Sequence, residues 1–136
     1  MKLTEHFTLE ELTQSNAADI YNIDNTPSKV IIVNLQEVAN LLEKIRTKWK
    51  SPIIVTSGYR CAELNKKIGG VPTSQHLKGQ AADITSRDNK QLFLLISQMV
   101  LDGEIKVGQL IDEKKYKWLH ISTPHLKTNN QILHLK

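Results

Sequence analysis

The sequence predicts an α+β fold in which helices pack on an antiparallel sheet. Amphipathic helical patterns dominate its first part, whereas most of the short apolar runs typical of strands come later. The connections between these segments are short, and no repeat, low-complexity segment or internal linker divides the 136 residues. We therefore expect a single domain over residues 1–136.

Two helices are predicted before the first strand. Thr8 and Glu11 have the spacing of a capping box, which predicts a short helix. We interpret the tripeptide at residues 25–27, Asn-Thr-Pro, as an N-cap with proline at the first helical position. The helix that follows is expected to run to about Trp49. Its buried face is predicted from apolar residues at helical spacing, namely Val30, Ile31, Val38, Leu41, Leu42 and Ile45.

The middle of the chain predicts two short strands separated by a long loop. Residues 52–56, Pro-Ile-Ile-Val-Thr, are rich in β-branched side chains and predict a buried strand. Glycines and a proline in residues 57–73 predict mostly loop, with a helical turn at residues 62–66. Residues 80–84 predict the second strand.

The remaining elements are one helix and three strands. Residues 107–111 and 118–122 predict strands joined by a charged turn at residues 112–117, and residues 132–135 predict an edge strand. Residues 89–101 predict an amphipathic helix whose inward face carries Leu92, Leu95, Ile96, Met99 and Val100.

Composition and charge narrow the classes of function. The single cysteine, Cys61, excludes an internal disulfide and a CxxC zinc site, and we interpret it as a packing residue. No Lys/Arg cluster interleaved with aromatics indicates nucleic-acid binding. No apolar run is long enough to span a bilayer, and the first residues lack the apolar core of a signal peptide. We therefore expect the chain to stay in the cytoplasm of the producing cell. The net charge of +4 would favour approach to an anionic polymer, although so small an excess is usually only a solvated surface.

His76, Asp83 and His120 form a candidate metal site. The first two are seven residues apart with Gly79 between them, and glycine there allows a tight turn. Antiparallel pairing would place the strands that carry Asp83 and His120 side by side. Two imidazoles and one carboxylate are a ligand set that leaves Zn²⁺ one position for water, as in catalytic zinc sites. If these three residues converge, a zinc hydrolase with one Zn²⁺ per chain is expected.

These segments resemble a known family. The pattern Ser-x-His-x-x-Gly-x-Ala-x-Asp at residues 74–83, followed by Trp-x-His at residues 118–120, resembles the zinc D-Ala-D-Ala carboxypeptidase family. That family includes phage L-alanyl-D-glutamate endolysins and vancomycin-resistance D,D-dipeptidases. The resemblance extends from about Phe7 to Ser122, and it implies a Hedgehog/D-Ala-D-Ala peptidase-like fold. Further matching segments are Phe-Thr-Leu-Glu-Glu-Leu at residues 7–12, Thr-Ser-Gly-Tyr-Arg at 56–60, Leu-Asn at 64–65, Gly-Gly at 69–70 and Gln-Leu-Ile at 109–111.

The resemblance also suggests a general base. Many relatives place an acidic residue three positions before the last histidine, but here that position is Lys117, which cannot take up the proton. In the branch that this chain most resembles, the acid follows Gln-Leu-Ile, which indicates Glu113, with its neighbour Asp112 as the alternative. Adjacent strand residues point to opposite faces, so only one of the two is expected to face the metal. Glu113 taken alone would more often be a solvated turn residue.

Two more site residues come from the resemblance. It implies that Arg60 lies near the metal, where its planar fork holds a substrate carboxylate or stabilises the tetrahedral oxyanion. It also implies that Ser74 contacts the substrate backbone. Taken alone, Arg60 would usually be a surface ion-pair partner and His120 a core histidine. The histidines that match no family position, and that we expect to be structural or exposed, are His6, His125 and His134.

The leading functional hypothesis is a monomeric zinc peptidase that acts on the peptide stem of bacterial peptidoglycan. The short chain without an appended wall-binding domain suggests a phage or prophage lysin, and carboxypeptidase and endopeptidase activities both stay open, as do D,D and L,D linkages. The second hypothesis is a zinc-bearing binding module that has lost catalysis, because the Hedgehog signalling domain has a similar fold and Lys117 replaces an acid. A third hypothesis is a structural protein without metal.

Overall fold

The structure is a computed structural model that describes residues 1–125 and 129–135. Over these residues three α-helices come first, and five strands with two further α-helices and a 3₁₀ helix follow. The α-helices are α1 (Leu9–Thr13), α2 (Asn16–Ile20), α3 (Lys29–Trp49), α4 (Ala62–Lys67) and α5 (Asn89–Leu101), and a 3₁₀ helix spans Gln75–Lys78. The strands are β1 (Ile54–Ser57), β2 (Ala81–Thr85), β3 (Gln109–Glu113), β4 (Trp118–Ser122) and β5 (Gln131–Leu135).

The helix starts follow side-chain capping. The predicted capping box is present, since Thr8 accepts from the backbone N–H of Glu11 and the Glu11 carboxylate accepts from that of Thr8. The predicted start of α3 was wrong. Ser28 is the N-cap, with its hydroxyl accepting from the N–H of Ile31 at 3.4 Å, so the helix begins at Lys29, two residues after the proline predicted as its first residue. The helix ends at Trp49, as predicted, but α2 was not predicted.

The five strands form one sheet in the order β1-β2-β4-β3-β5. The pairs among β1, β2, β4 and β3 are antiparallel, whereas β5 lies parallel to β3. The predicted α+β fold with an antiparallel sheet is therefore confirmed, and β5 adds one parallel pairing at its edge. Because β4 already has β2 on one side and β3 on the other, the last strand cannot pair with β4, and it pairs instead with the outer edge of β3.

Two segments differ from their predicted environment. The strand predicted at residues 52–56 is β1, which begins at Ile54 and forms a sheet edge where this side chain is 57% exposed. The predicted turn at residues 112–117 is shorter, because Asp112 and Glu113 belong to β3. Positive φ angles at Lys114, Lys115 and Tyr116 then turn the chain back into β4.

The core lies on one face of the sheet, under α3 and α5. Alternate residues of β2, β3 and β4 point to these helices, and the residues between them point to the opposite face. The inward residues are Ala82, Ile84, Leu110, Leu119 and Ile121. The opposite face carries Asp83, Glu113 and His120, so the fold places the candidate site residues away from the core. No helix in the described part of the chain is long and apolar enough to cross a membrane.

Candidate metal centre and its cleft

Asp83 and His120 are direct cross-strand partners in the β2–β4 pair. Their side chains therefore point to the same face, and His120 Nδ1 lies 3.1 Å from Asp83 Oδ1. The predicted juxtaposition of these two strands is present. The approach of Asp83 to His120 therefore follows from β-sheet register alone.

His76 reaches the same carboxylate from the 3₁₀ helix, with its Nε2 3.4 Å from Asp83 Oδ1. The helix ends at Gly79, which has φ +67°, and a Cβ there would lie 2.9 Å from Cγ2 of Ile31. Glycine thus provides both the left-handed turn and the close approach to α3 that bring His76 back over β2. The ligand atoms of His76, Asp83 and His120 all lie within 4.8 Å of one another.

The ring of His76 is oriented by the backbone of Gly58. Its Nδ1 lies 2.7 Å from the carbonyl oxygen of Gly58, and because a carbonyl only accepts, Nδ1 carries the proton. In the neutral ring, Nε2 is then an acceptor that faces the acceptor oxygen of Asp83. Gly58 itself is held close to α1, since a Cβ would lie 2.2 Å from the oxygen of Leu12.

Two facing acceptors fit a shared cation. Burial raises the pKa of the Asp83 carboxyl, but the adjacent rings of His120 and His76 outweigh the effect of burial, so the pKa lies well below its usual range. Asp83 is therefore a carboxylate at neutral pH. One carboxylate and two imidazoles, one with its second nitrogen bound to a carbonyl, have the chemistry of a zinc site and its supporting hydrogen bonds.

The three residues line a cleft of about 980 Å³ that also contains Arg60, Ser74 and Glu113. The guanidinium Nη2 of Arg60 donates to the hydroxyl of Ser74 at 3.2 Å, and this hydroxyl also accepts from the backbone N–H of His76. Ser74 therefore joins the arginine to the candidate metal ligand. Burial lowers the pKa of Arg60, and the negative charges of Asp83 and Glu113 partly offset this effect.

Glu113 and Asp112 lie on opposite faces of β3. Glu113 lines the cleft and accepts from the indole N–H of Trp118 at 2.8 Å. Asp112 is buried on the other face, where it accepts from the backbone N–H of Tyr116 and lies 3.0 Å from Nδ1 of His134. Of the two candidate bases, only Glu113 shares the cleft with His76.

Several features of the site were not predicted. His125 was expected to be structural or exposed, but it lines the cleft. Cys61 is the N-cap of α4, with its sulfur accepting from the N–H of Leu64. The Trp118–Glu113 hydrogen bond joins directly paired residues, so a correct strand register would have revealed it. His6 and His134 are paired with carboxylates outside the cleft.

Comparison with known proteins agrees with the geometry. The sequence profile of the family described as Peptidase M15 matches residues 5–122, a segment that contains all the cleft residues named above except His125. No curated protein matches the chain with significant sequence similarity. The profile match covers most of the chain and confirms the resemblance seen in the sequence motifs. The chain therefore belongs to the Peptidase M15 family, which indicates a metallopeptidase type of function.

Proposed function

We propose that this chain is a zinc peptidase that hydrolyses amide bonds in the peptide stem of bacterial peptidoglycan. The observation that carries the proposal is the convergence of His76, Asp83 and His120 in one cleft. The same cleft is lined by the guanidinium of Arg60 and the carboxylate of Glu113. The proposal treats residues 1–136 as one zinc peptidase domain with one Zn²⁺.

His76, Asp83 and His120 would hold the ion. When bound, zinc supplies a Lewis acid and lowers the pKa of a coordinated water to about 7. Gly58 keeps the His76 proton on Nδ1 and so presents Nε2 as a ligand. The depressed pKa of Asp83 keeps this group ionised at neutral pH, so no proton has to be displaced from it before a metal binds.

Glu113 is the general base in this proposal. Amide hydrolysis requires a group that takes a proton from the attacking water and passes it to the leaving amine. The bond from Trp118 fixes Oε2 of Glu113, and the cleft position of the carboxylate supports this role. Lys117, which occupies the position of the acid in many relatives, is a cation and cannot replace it.

Arg60 and Ser74 bind the substrate in this proposal. The half-buried guanidinium has its Nε buried without a hydrogen-bond partner in the described structure. Such a group can hold a substrate carboxylate or the oxyanion that forms on the scissile carbonyl. Ser74 keeps its hydroxyl proton for a peptide carbonyl, since both of its described hydrogen bonds are accepted. The same site would serve a D,D-carboxypeptidase or an endolysin-type endopeptidase.

Elemental analysis and digestion of defined muropeptides test the proposal. We expect one zinc per chain in metal-replete protein, and mass spectrometry should show cleaved stem peptides that disappear with chelator and return with zinc. His76→Ala and His120→Ala should both lose zinc and activity. The matched control is His134→Ala, which removes a histidine that is also paired with a carboxylate but lies outside the cleft, and it should retain zinc.

The outcomes separate the candidate functions. Full zinc in the His76→Ala and His120→Ala variants would refute the ligand set. Zinc at one per chain with binding of wall peptides but no cleavage of any muropeptide would favour the catalytically inactive binding module. Cleavage position, at the end of the stem or within it, would separate carboxypeptidase from endopeptidase.

A further inference from the structure

Asn25 makes three hydrogen bonds to the backbone of two other segments. Its Nδ2 donates to the carbonyl oxygens of Thr13 and Tyr59, both at 2.9 Å, and its Oδ1 accepts from the N–H of Cys61 at 2.8 Å. Both amide protons and the amide oxygen are used, so the side chain is matched to this position. The motif that suggested a helix cap instead ties the end of α1 to the loop before α4.

The two bonds on that loop hold the peptide groups on either side of Arg60. The Tyr59 carbonyl belongs to the peptide that precedes the Arg60 Cα, and the Cys61 N–H belongs to the peptide that follows it. The first peptide is also held by the Arg60 N–H, which donates to the oxygen of His76 at 3.1 Å. With both peptide planes fixed, the φ and ψ angles of Arg60 are fixed, and so is the direction of its side chain.

Asn25 is itself held in a short turn. Oδ1 of Asp24 accepts from both the N–H and the hydroxyl of Thr26, at 3.0 and 2.6 Å. Such an aspartate turn fixes the loop on both sides of residue 25 without regular secondary structure. The clamp on the Arg60 segment is therefore a built feature of the loop before α3.

We propose that Asn25 is a positioning residue for Arg60, and that it acts by fixing the two peptide groups that flank the arginine. This inference rests on the proposed function, in which Arg60 contacts substrate. The length and flexibility of an arginine side chain make this support necessary, because a shift of about 1 Å in a positioning group can reduce turnover about a hundredfold. Asn25 touches neither the metal ligands nor the cleft in the described structure.

Cys61 provides a direct probe, because it is the chain's single cysteine and its N–H is one of the clamped groups. Asn25→Ala should raise the rate at which a thiol reagent modifies Cys61 under native conditions by about tenfold or more. Amide hydrogen exchange should increase locally at residues 59–61. Asn25→Asp keeps the shape of the side chain but places a carboxylate against two carbonyl oxygens. It should also increase Cys61 reactivity and amide exchange, and it replaces the alanine variant if that variant does not fold. Gln36→Ala is the matched control, because it also removes a hydrogen bond from a side-chain amide to a backbone carbonyl. The acceptor is the carbonyl of Leu3, which is far from Arg60 in the sequence.

A double-mutant cycle with Arg60→Ala tests the functional part. Asn25→Ala should lower kcat/KM on a cleaved muropeptide by about tenfold with zinc retained, and the loss should vanish in the Arg60→Ala background. The inference would be overturned if the effects of Asn25→Ala and Arg60→Ala on kcat/KM were additive. It would also be overturned if Cys61 reactivity and amide hydrogen exchange in Asn25→Ala were the same as in Gln36→Ala. If Arg60→Ala turned over muropeptides like the parent, the proposed role of Arg60 would fail instead. The thiol and exchange measurements would then still decide whether Asn25 fixes this segment.

Discussion

The indole N–H of Trp118 donates to Oε2 of Glu113 across the β3–β4 hairpin, with 2.8 Å between the two heavy atoms. The two residues are directly paired in register, so both point to the cleft face of the sheet. Within the described residues, no hydrogen bond reaches the other oxygen of the carboxylate. Glu113 is therefore anchored by one oxygen while the second is available to accept a proton.

Trp118→Phe should lower turnover of muropeptides by about tenfold while zinc content and fold are retained. Phenylalanine keeps the aromatic contact but removes a hydrogen bond to a charged group, which is worth about 1.5–3 kcal/mol. Steady-state kinetics and elemental analysis measure the effect. Trp49→Phe is the matched control, since the Nε1 of Trp49 is buried without a hydrogen-bond partner in the described structure. Equal turnover in the two variants would show that the indole bond does not orient the base.

Glu113→Gln should keep zinc and fold but lower turnover by about a hundredfold or more, the usual scale for general acid–base catalysis. Asp112→Asn should leave turnover almost unchanged, because Asp112 lies on the opposite face of β3. It should instead lower the free energy of unfolding by about 1 kcal/mol through its weakened pairing with His134. Kinetics and thermal unfolding of both variants decide the assignment, and the reverse pattern of turnover would move the base to Asp112.

Local patterns predicted the parts of the site that depend on strand alternation. Side chains alternate between the two faces of a strand, and Asp83 and His120 are each next to core residues on predicted neighbouring strands. Both could therefore be expected on the face away from the core. Asn25 could not be interpreted in this way, because its partners at Thr13, Tyr59 and Cys61 are distant in sequence and a nearby serine provides the actual cap of α3. Nonlocal contacts of this kind carry no periodic signal.

The parallel pairing of β5 had a similar cause. The sequence predicts an edge strand, and β5 does lie at an edge of the sheet. Whether β5 runs parallel or antiparallel to its neighbour depends on the strand with which it pairs, and the local sequence does not specify that strand. The observed order, with β4 between β2 and β3, leaves the outer edge of β3 open for β5. Strand β3 was predicted two residues too early, because Asp112 and Glu113 have the composition of a turn, while their sheet hydrogen bonding to β4 and β5 is set by tertiary structure.

Arg60→Lys and Arg60→Ala should both impair turnover while leaving zinc in place. Lysine keeps the positive charge but lacks the planar fork that can contact Ser74 and an anionic group of the substrate at the same time. Kinetics on a defined muropeptide and elemental analysis measure the two effects separately. Lys78→Ala removes another cation that lines the cleft and serves as a charge control. Parent-like turnover in Arg60→Lys would show that charge alone suffices and that the anchoring role is wrong.

The contact between Glu43 and His6 should make the stability of the N-terminal segment depend on pH. Burial alone would raise the pKa of Glu43, but hydrogen bonds from the ring and backbone N–H of His6 outweigh burial and lower the pKa below its ordinary value. Because the pKa is lower in the folded state, the Glu43 carboxylate stabilises the fold above about pH 4.5, and this contribution is lost as the pH falls through the folded-state pKa. Glu43→Gln should therefore reduce the free energy of unfolding by about 1 kcal/mol at pH 7, and the difference from the parent should shrink steadily below pH 4.5. Urea unfolding between pH 3 and pH 7 measures it, with Glu37→Gln, an exposed position on the same helix, as the control. A difference that stayed constant across this range would show that the effect of Glu43 does not depend on its charge.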